Sequence, residues 1–194
     1  MSIITIRVTV LGDANVGKSN LITTYTSNYY TGAYVSTIEE TYHKTLSIVR
    51  SDGETSLVQL VISDLGGAEH YDRLRVLQLS VQGTVDVFIL CFKLGDDEST
   101  RNVTTRWKEI VDHAAKDVPV VVVGCIADKA FSGAGHSGVV DAMWASAYLE
   151  CSALNKKGVK EVFETVISLG LKKREEMLVR EVVGRWQKNK KVKE

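Results

Sequence analysis

Residues 12–19 of the chain have the sequence Gly-Asp-Ala-Asn-Val-Gly-Lys-Ser and directly follow an apolar segment, residues 3–11. Two glycines with four residues between them, followed by Lys and Ser, form a pattern found between a β-strand and an α-helix. The glycines let the backbone curl so that its amide groups face inward, and the helix adds its positive N-terminus. This stretch predicts a strand, a phosphate-binding loop and a helix; the alternative is a glycine turn that matches by chance.

The last two residues of the pattern carry its chemistry. Lys18 would reach the outer phosphates of a bound nucleotide, and Ser19 would hold a magnesium ion through its hydroxyl group. We expect the surrounding loop to line the same site; the predicted nucleotide contacts in this region are Asn15, Val16, Gly17, Lys18, Ser19 and Asn20.

Length and composition describe an ordinary globular protein. The 194 residues are enough for one domain with a sizeable core plus a tail, and 24 basic residues balance 24 acidic ones. This balance gives no overall attraction to nucleic acid. Cys91, Cys125 and Cys151 have spacings that fit neither a zinc site nor a disulfide framework, so we expect reduced core thiols in a cytoplasmic protein. Neither a signal peptide nor a membrane-spanning run is expected.

Hydrophobic patterning predicts strands that alternate with helices. Buried strands are expected at 85–92 and 118–124, with a helix at 99–115 between them, and such alternation implies a mostly parallel sheet covered by helices. A hairpin is expected where Asp-Gly separates two alternating segments. The other predicted elements are strands at 3–11, 42–50, 56–63 and 149–151 and helices at 16–25, at 139–148 and from 157 onward.

Candidate functional residues fall close to the ends of predicted strands. They are the loop at 12–19, the segment Asp-Leu-Gly-Gly at 64–67, Asp128 and Ser152, together with the long polar connection at 27–41. In an open α/β sheet, ligands bind at the edge where the strands end. Long loops in compact domains are usually functional.

Taken together, these motifs resemble those of the Ras-like small GTPases over residues 3 to about 175, and within them the Rho group most closely. The Rho likeness depends on Tyr-Asp-Arg-Leu-Arg at 71–75, Asp-Val-Phe-Ile-Leu-Cys-Phe at 86–92 and Tyr-Leu-Glu-Cys-Ser-Ala at 148–153. The resemblance implies an α/β P-loop NTPase fold, a Ras-like G domain with a mostly parallel six-stranded sheet and helices on both faces. We expect this domain to span residues 1–175, with a helical extension and basic tail at 176–194.

The resemblance also implies roles for individual residues. Thr37 would close on the metal and the terminal phosphate of GTP, Asp64 would hold a metal-bound water, and the Gly67 amide would sense that phosphate. Mg²⁺ is the implied metal, with Ser19, Thr37 and Asp64 around it, and GTP or GDP is the implied ligand. The remaining implied nucleotide contacts, most of them to the base, are Tyr30, Tyr34, Asp128, Ser152 and Ala153.

Two alanines depart from the family pattern at the catalytic positions. Ala68 stands where the family places the glutamine that orients the attacking water, and Ala14 stands where Ras has glycine. A methyl group can neither donate nor accept a hydrogen bond, so no catalytic residue is assigned and hydrolysis is expected to be slow. Glu69 or His70 is the alternative group that could orient the water.

The guanine-recognition motif is also altered, because Cys125, Ile126 and Ala127 precede Asp128 where the family has Asn-Lys-X. Asp128 could still pair with guanine, but we expect weaker binding and looser base choice. The resemblance implies two switch loops, the first switch around Thr37 and the second switch around Gly67. Before Gly67, Leu-Gly replaces the usual Thr-Ala at 65–66, so the second switch is expected to have an unusual shape.

The C-terminal segment combines an apolar stripe with basic residues. Leu178, Val179, Val182, Val183 and Trp186 recur at helical spacing, and a lysine-rich end follows. This surface could contact an anionic membrane, a partner helix or a second copy, or the helix could pack on its own domain. The last cysteine is Cys151, so no prenyl anchor is expected unless the sequence has been trimmed.

These features together predict an atypical Rho-like molecular switch that holds GTP for a long time and binds effectors and exchange factors through the loops around Thr37 and Gly67. One alternative is a pseudo-GTPase scaffold with structural or no nucleotide. Another is a competent GTPase that uses an unfamiliar residue.

Overall fold

A computed structural model describes residues 3–32, 36–49, 53–69, 72–81, 85–114, 117–126 and 137–191. Strands and helices alternate along most of this part of the chain. The strands are β1 (Ile3–Gly12), β2 (Glu39–Val49), β3 (Thr55–Leu65), β4 (Val87–Lys93), β5 (Val120–Cys125) and β6 (Ala147–Cys151). The helices are α1 (Lys18–Ser27), α2 (Asp72–Val81), α3 (Asp97–Asn102), a π-helical turn (Val103–Trp107), α4 (Lys108–Ala114), α5 (Ser137–Met143) and α6 (Val159–Lys191).

The strands form one six-stranded sheet in the order β2-β3-β1-β4-β5-β6. Strands β2 and β3 are antiparallel, and the other neighbouring pairs are parallel. Strand β1 lies between β3 and β4, and the chain order changes direction there. The C-terminal end of β1 is therefore the topological switch point, where open α/β sheets bind their ligands.

Both faces of the sheet are covered, as strand β4 illustrates. Its residues alternate between two cores: Ile89 packs in a cluster with Phe163 of α6, whereas Phe88 and Leu90 pack in a cluster with Trp107. Helices α1 and α6 cover the first face, and the helices between β3 and β6 cover the second. This arrangement confirms the predicted α/β architecture.

Some element boundaries differ from the prediction. Tyr148 lies in strand β6, so the predicted extension of a helix over 139–148 is wrong; its ring packs against Phe92 of β4, with centroids 6.4 Å apart. Helix α1 begins at Lys18, two residues later than predicted. The predicted helix at 99–115 runs instead from Asp97 to Ala114 and contains the π-helical turn at its centre.

Helix α6 is 33 residues long and remains helical across residue 175. Leu178 and Val179, the first members of the predicted stripe, are exposed. For Val182, Val183 and Trp186, the structure describes the backbone only. No helix in the described part of the chain is both long and apolar enough to cross a membrane.

A buried carboxylate ties α6 to the sheet. Asp86 is fully buried and accepts hydrogen bonds from the Arg7 backbone N–H (2.8 Å) and from Arg174 Nη2 (2.7 Å). We expect Arg174→Gln to lower the free energy of unfolding by about 1–3 kcal/mol, because it leaves a buried charge with a weaker partner. Urea denaturation would measure this change. The exposed Lys172→Gln is the matched control, and equal effects of both variants would contradict the prediction.

Candidate functional site

A cavity of about 740 Å³ opens at the C-terminal end of β1. Helix α1 begins at its wall, where the Leu21 N–H donates to the Gly17 carbonyl (2.9 Å). Most of the predicted nucleotide contacts line this cavity; they are Asn15, Val16, Gly17, Lys18, Ser19, Asn20, Tyr30, Thr37, Gly67 and Ala153. Tyr34 and Asp128 lie outside the described residues.

Lys18 is a buried cation beside the cavity, and its side chain is only 6% exposed. Its Nζ donates to the carbonyl oxygens of Gly12 (3.0 Å) and Asp13 (2.8 Å). Burial lowers the pKa of Lys18, and the nearby carboxylate of Asp64 opposes this shift. An anionic group in the cavity, such as a phosphate, would stabilise the charged form of Lys18. This is the form in which a lysine binds phosphate.

The three predicted metal ligands are close together. Ser19 Oγ lies 3.3 Å from Thr37 Oγ1 and donates to Asp64 Oδ2 at 2.5 Å. Asp64, at the end of β3, is fully buried, and its Oδ1 has no hydrogen-bond partner among the described residues. Burial raises the pKa of Asp64, opposed by the Ser19 hydrogen bond and by Lys18. Two hydroxyls and a carboxylate with an unpartnered buried oxygen fit a hard divalent cation such as Mg²⁺.

Gly66 and Gly67, directly after β3, lie against both the Thr37 loop and the phosphate-binding loop. The Gly66 N–H donates to the Ile38 carbonyl (2.9 Å), and a Cβ on Gly66 would lie 2.0 Å from the carbonyl oxygen of Thr37. A Cβ on Gly67 would lie 2.2 Å from the backbone nitrogen of Ala14. Only glycine allows these approaches. The alanine that the family usually has at position 66 would collide with the Thr37 backbone in this arrangement.

Cys125, at the end of β5, lies against the Gly17 end of the phosphate-binding loop. A Cβ on Gly17 would be 3.4 Å from Cys125 Cβ and 3.8 Å from its Sγ. Cys125 therefore packs against the loop where the family's asparagine would connect to it. The neighbouring Ile126 N–H donates to the Cys151 carbonyl (2.9 Å). Ser152, which was predicted to contact the base, is buried, and its Oγ accepts from the Asn155 N–H (3.2 Å).

The cysteine prediction is confirmed in part. Cys91, Cys125 and Cys151 are free and buried, on three neighbouring strands. Hydrogen bonds from the Cys151 and Cys91 thiols, together with the charge of Lys18, lower the pKa of the Cys125 thiol although burial opposes the shift. Cys125 and Cys151 both line the cavity.

One group of residues beside the site was not predicted from the sequence. The carboxylate of Asp13 accepts hydrogen bonds from Trp107 Nε1 (2.8 Å), Arg106 Nη1 (3.0 Å) and Asn102 Nδ2 (2.8 Å). These partners are 89 to 94 residues away along the chain. No local motif marks them, and the only signal is an acidic residue inside a phosphate-binding loop, which requires a compensating partner.

Three features define a P-loop nucleotide-binding domain. They are a loop that follows a central parallel strand, a buried lysine at the start of the next helix, and a serine hydroxyl beside a carboxylate. The family model described as "Ras family" matches residues 7–171, and the chain belongs to that family. The fold is therefore the predicted Ras-like G domain, and the protein is a small GTP-binding switch protein. Ras-family proteins bind GTP and GDP, generally with Mg²⁺, and bind effectors and exchange factors.

Proposed function

We propose that the protein is an atypical Rho-like switch that binds GTP with Mg²⁺ and hydrolyses it slowly. The contact between Ser19, Thr37 and Asp64 is the observation that carries this proposal. It brings together the phosphate-binding loop, the first switch and the end of β3. Ser19, Thr37 and Asp64 would hold Mg²⁺, which supplies positive charge beside the phosphates.

Slow hydrolysis follows from the side chains at the cavity. Ala14 and Ala68 both line it, and neither can orient a water molecule by a hydrogen bond. Glu69 is exposed and does not line the cavity; His70 lies outside the described residues. Lys18 and Thr37 would support charge stabilisation without supplying the missing group.

We further propose that effectors and exchange factors bind the loops around Thr37 and Gly67. The adjacent Ile38 supports this proposal, because its large apolar side chain is 69% exposed. Residues 175–194 would contact a membrane surface peripherally or a second copy of the chain, and the protein would act in the cytoplasm.

The proposal is tested by the nucleotide that the purified protein carries. Denaturation followed by ion-exchange chromatography would identify it. GTP is the expected result, since an intact metal site with poor hydrolysis retains the triphosphate. GDP would contradict slow hydrolysis. If no nucleotide is released and added nucleotide does not bind, the binding function itself is contradicted.

A second candidate is a pseudo-GTPase scaffold. Cys125 and Ile126 favour it, because they replace residues that the family uses to hold guanine. Limited proteolysis separates the two functions: a switch changes its cleavage pattern between GDP and a non-hydrolysable GTP analogue, whereas a scaffold does not.

Alkylation of Cys125 offers an independent test of nucleotide binding. Its side chain is 8% exposed at the cavity, whereas Cys91 and Cys151 are almost completely buried. Iodoacetamide should therefore label Cys125 first in the nucleotide-free protein, and GDP with Mg²⁺ should slow this labelling about tenfold by covering the thiol. Peptide mass spectrometry would measure the rates. Equal rates with and without nucleotide would contradict occupation of this cavity; labelling of the denatured chain is the control.

A further inference from the structure

Four charged side chains of alternating sign connect the second switch with the phosphate-binding loop. Arg75 forms an ion pair with Asp72, and Arg106 Nε and Nη2 donate to the Asp72 carboxylate at 2.7 and 2.8 Å. Arg106 Nη1 then donates to Asp13 at 3.0 Å. Arg75 is 2% exposed and Arg106 is largely buried. The charges of these two arginines therefore depend on their carboxylate partners, because an unpaired buried charge is strongly destabilising.

The two arginines also hold the backbone at the start of the second switch. Arg75 Nη2 donates to the Gly66 carbonyl and to the Ala68 carbonyl (2.7 Å). Arg106 Nη2 donates to the Gly67 carbonyl that lies between them (3.0 Å). Three successive carbonyl oxygens are thus bound by guanidinium groups, which donate several hydrogen bonds in a rigid planar arrangement.

This arrangement determines the direction of one amide. The Gly66 carbonyl and the Gly67 N–H belong to the same peptide unit, which is planar and trans, so the two groups point in opposite directions. Because Arg75 binds the carbonyl on one side, the Gly67 N–H is directed to the other. Gly67 itself lines the cavity and packs against Ala14 of the phosphate-binding loop.

The other end of this network is anchored in the protein core. Asp13 is held by Trp107, which is fully buried, and by Asn102. The guanidinium of Arg106 lies over the Trp107 ring, 4.5 Å from its centroid. The π-helical turn places Asn102, Arg106 and Trp107 on the same side, although they are four and five residues apart. The network therefore connects the switch backbone to a helical segment that is packed into the core.

We propose that Asp72 and Arg106 are positioning residues: through Arg75 they hold the Gly67 amide in the direction that binds a terminal phosphate. This inference rests on the proposed function, because it assigns the discrimination between GTP and GDP to residues outside the cavity. Asp72 and Arg106 contact neither Lys18 Nζ nor the predicted metal ligands. Asp72 is connected to the site through the switch backbone, and Arg106 is connected to it through that backbone and through the Asp13 carboxylate.

The test is the ratio of two affinities measured on the full chain with Mg²⁺. Dissociation constants for GDP and for a non-hydrolysable GTP analogue are determined for the wild type, Arg106→Gln and Asp72→Asn. We expect each variant to weaken binding of the analogue about tenfold and binding of GDP less than about twofold. Arg106→Lys should recover part of the loss, because a lysine keeps the charge but cannot bind both aspartates and the carbonyl.

Two exposed residues in the helical segment that contains Arg106 provide matched controls. Arg101→Gln and Asp112→Asn remove the same charges without touching the network, and the ratio should stay at its wild-type value. An unchanged ratio in Arg106→Gln and Asp72→Asn, or equal weakening of both nucleotides, would overturn the inference. If the wild type binds neither nucleotide, the proposed function fails, and the inference fails with it for that separate reason.

Discussion

Replacement of Lys18 by methionine is expected to weaken the binding of both GDP and GTP at least about 100-fold, equivalent to about 2.7 kcal/mol. Lys18 is a buried cation at the cavity, and its ammonium donates to two backbone carbonyls and interacts at longer range with the Asp64 carboxylate. A phosphate would add charge-assisted hydrogen bonds in a site that excludes most water. Methionine keeps an unbranched side chain that is one atom shorter, and it removes the charge. Titration with a fluorescent nucleotide would measure the loss.

The same substitution should leave the nucleotide-free protein as stable as the wild type or more stable, because burial of an ammonium is costly. Thermal unfolding without nucleotide would separate lost binding from lost folding. Lys172→Met, at an exposed position of α6, is the control for removal of a lysine. Nucleotide affinity within about threefold of the wild type would show that Lys18 does not contact phosphate, and would contradict the assignment of the cavity.

Introduction of glutamine at position 68 is expected to raise the rate of single-turnover GTP hydrolysis at least about tenfold, with a larger gain when Ala14→Gly is added. Ala68 is half-buried and lines the cavity, so a longer side chain there can extend toward bound nucleotide. Ala14 also lines the cavity, so removing its methyl group would leave more space beside the expected terminal phosphate. Phosphate release from preloaded protein would measure the rate.

The exposed Glu69 provides the matched comparison. Glu69→Gln should leave hydrolysis unchanged, whereas a large loss would show that Glu69 orients the water and that the protein is a competent GTPase of unfamiliar design. No gain from Ala68→Gln, alone or with Ala14→Gly, would mean that the missing glutamine is not the cause of slow turnover.

Much of the fold could be predicted because it depends on local patterns. The phosphate-binding loop and the apolar sequences of β4 and β5 are enough to predict a parallel sheet without knowledge of tertiary contacts. Tyr148 was misplaced because periodicity does not separate the end of a short helix from the start of a short strand; in the structure its ring packs against Phe92 of β4. The helix boundary at Lys18 was also shifted, which is the usual uncertainty at helix ends.

The site could be predicted where one motif supplies the residue, as for Lys18 and Ser19. It could not be predicted where residues meet over long sequence separations. Nothing near Arg106 indicates that its guanidinium holds the Gly67 carbonyl or that it pairs with Asp13. Gly66 was recognised as unusual, but the reason, its contact with the Thr37 backbone, required the folded chain.

The π-helical turn at Val103–Trp107 lies in the helical segment between β4 and β5. The directions of the side chains in this segment depend on how many residues the turn contains as well as on which residues they are. A π turn contains about one residue more than an α turn, and each α-helical residue advances the helix by roughly 100°. Deletion of Thr104 or Thr105, which carry exposed or half-buried side chains, could leave the helix intact while changing its rotational phase. Arg106 and Trp107 would then be turned relative to Asn102, and Asp13 would lose partners without any of them having been replaced.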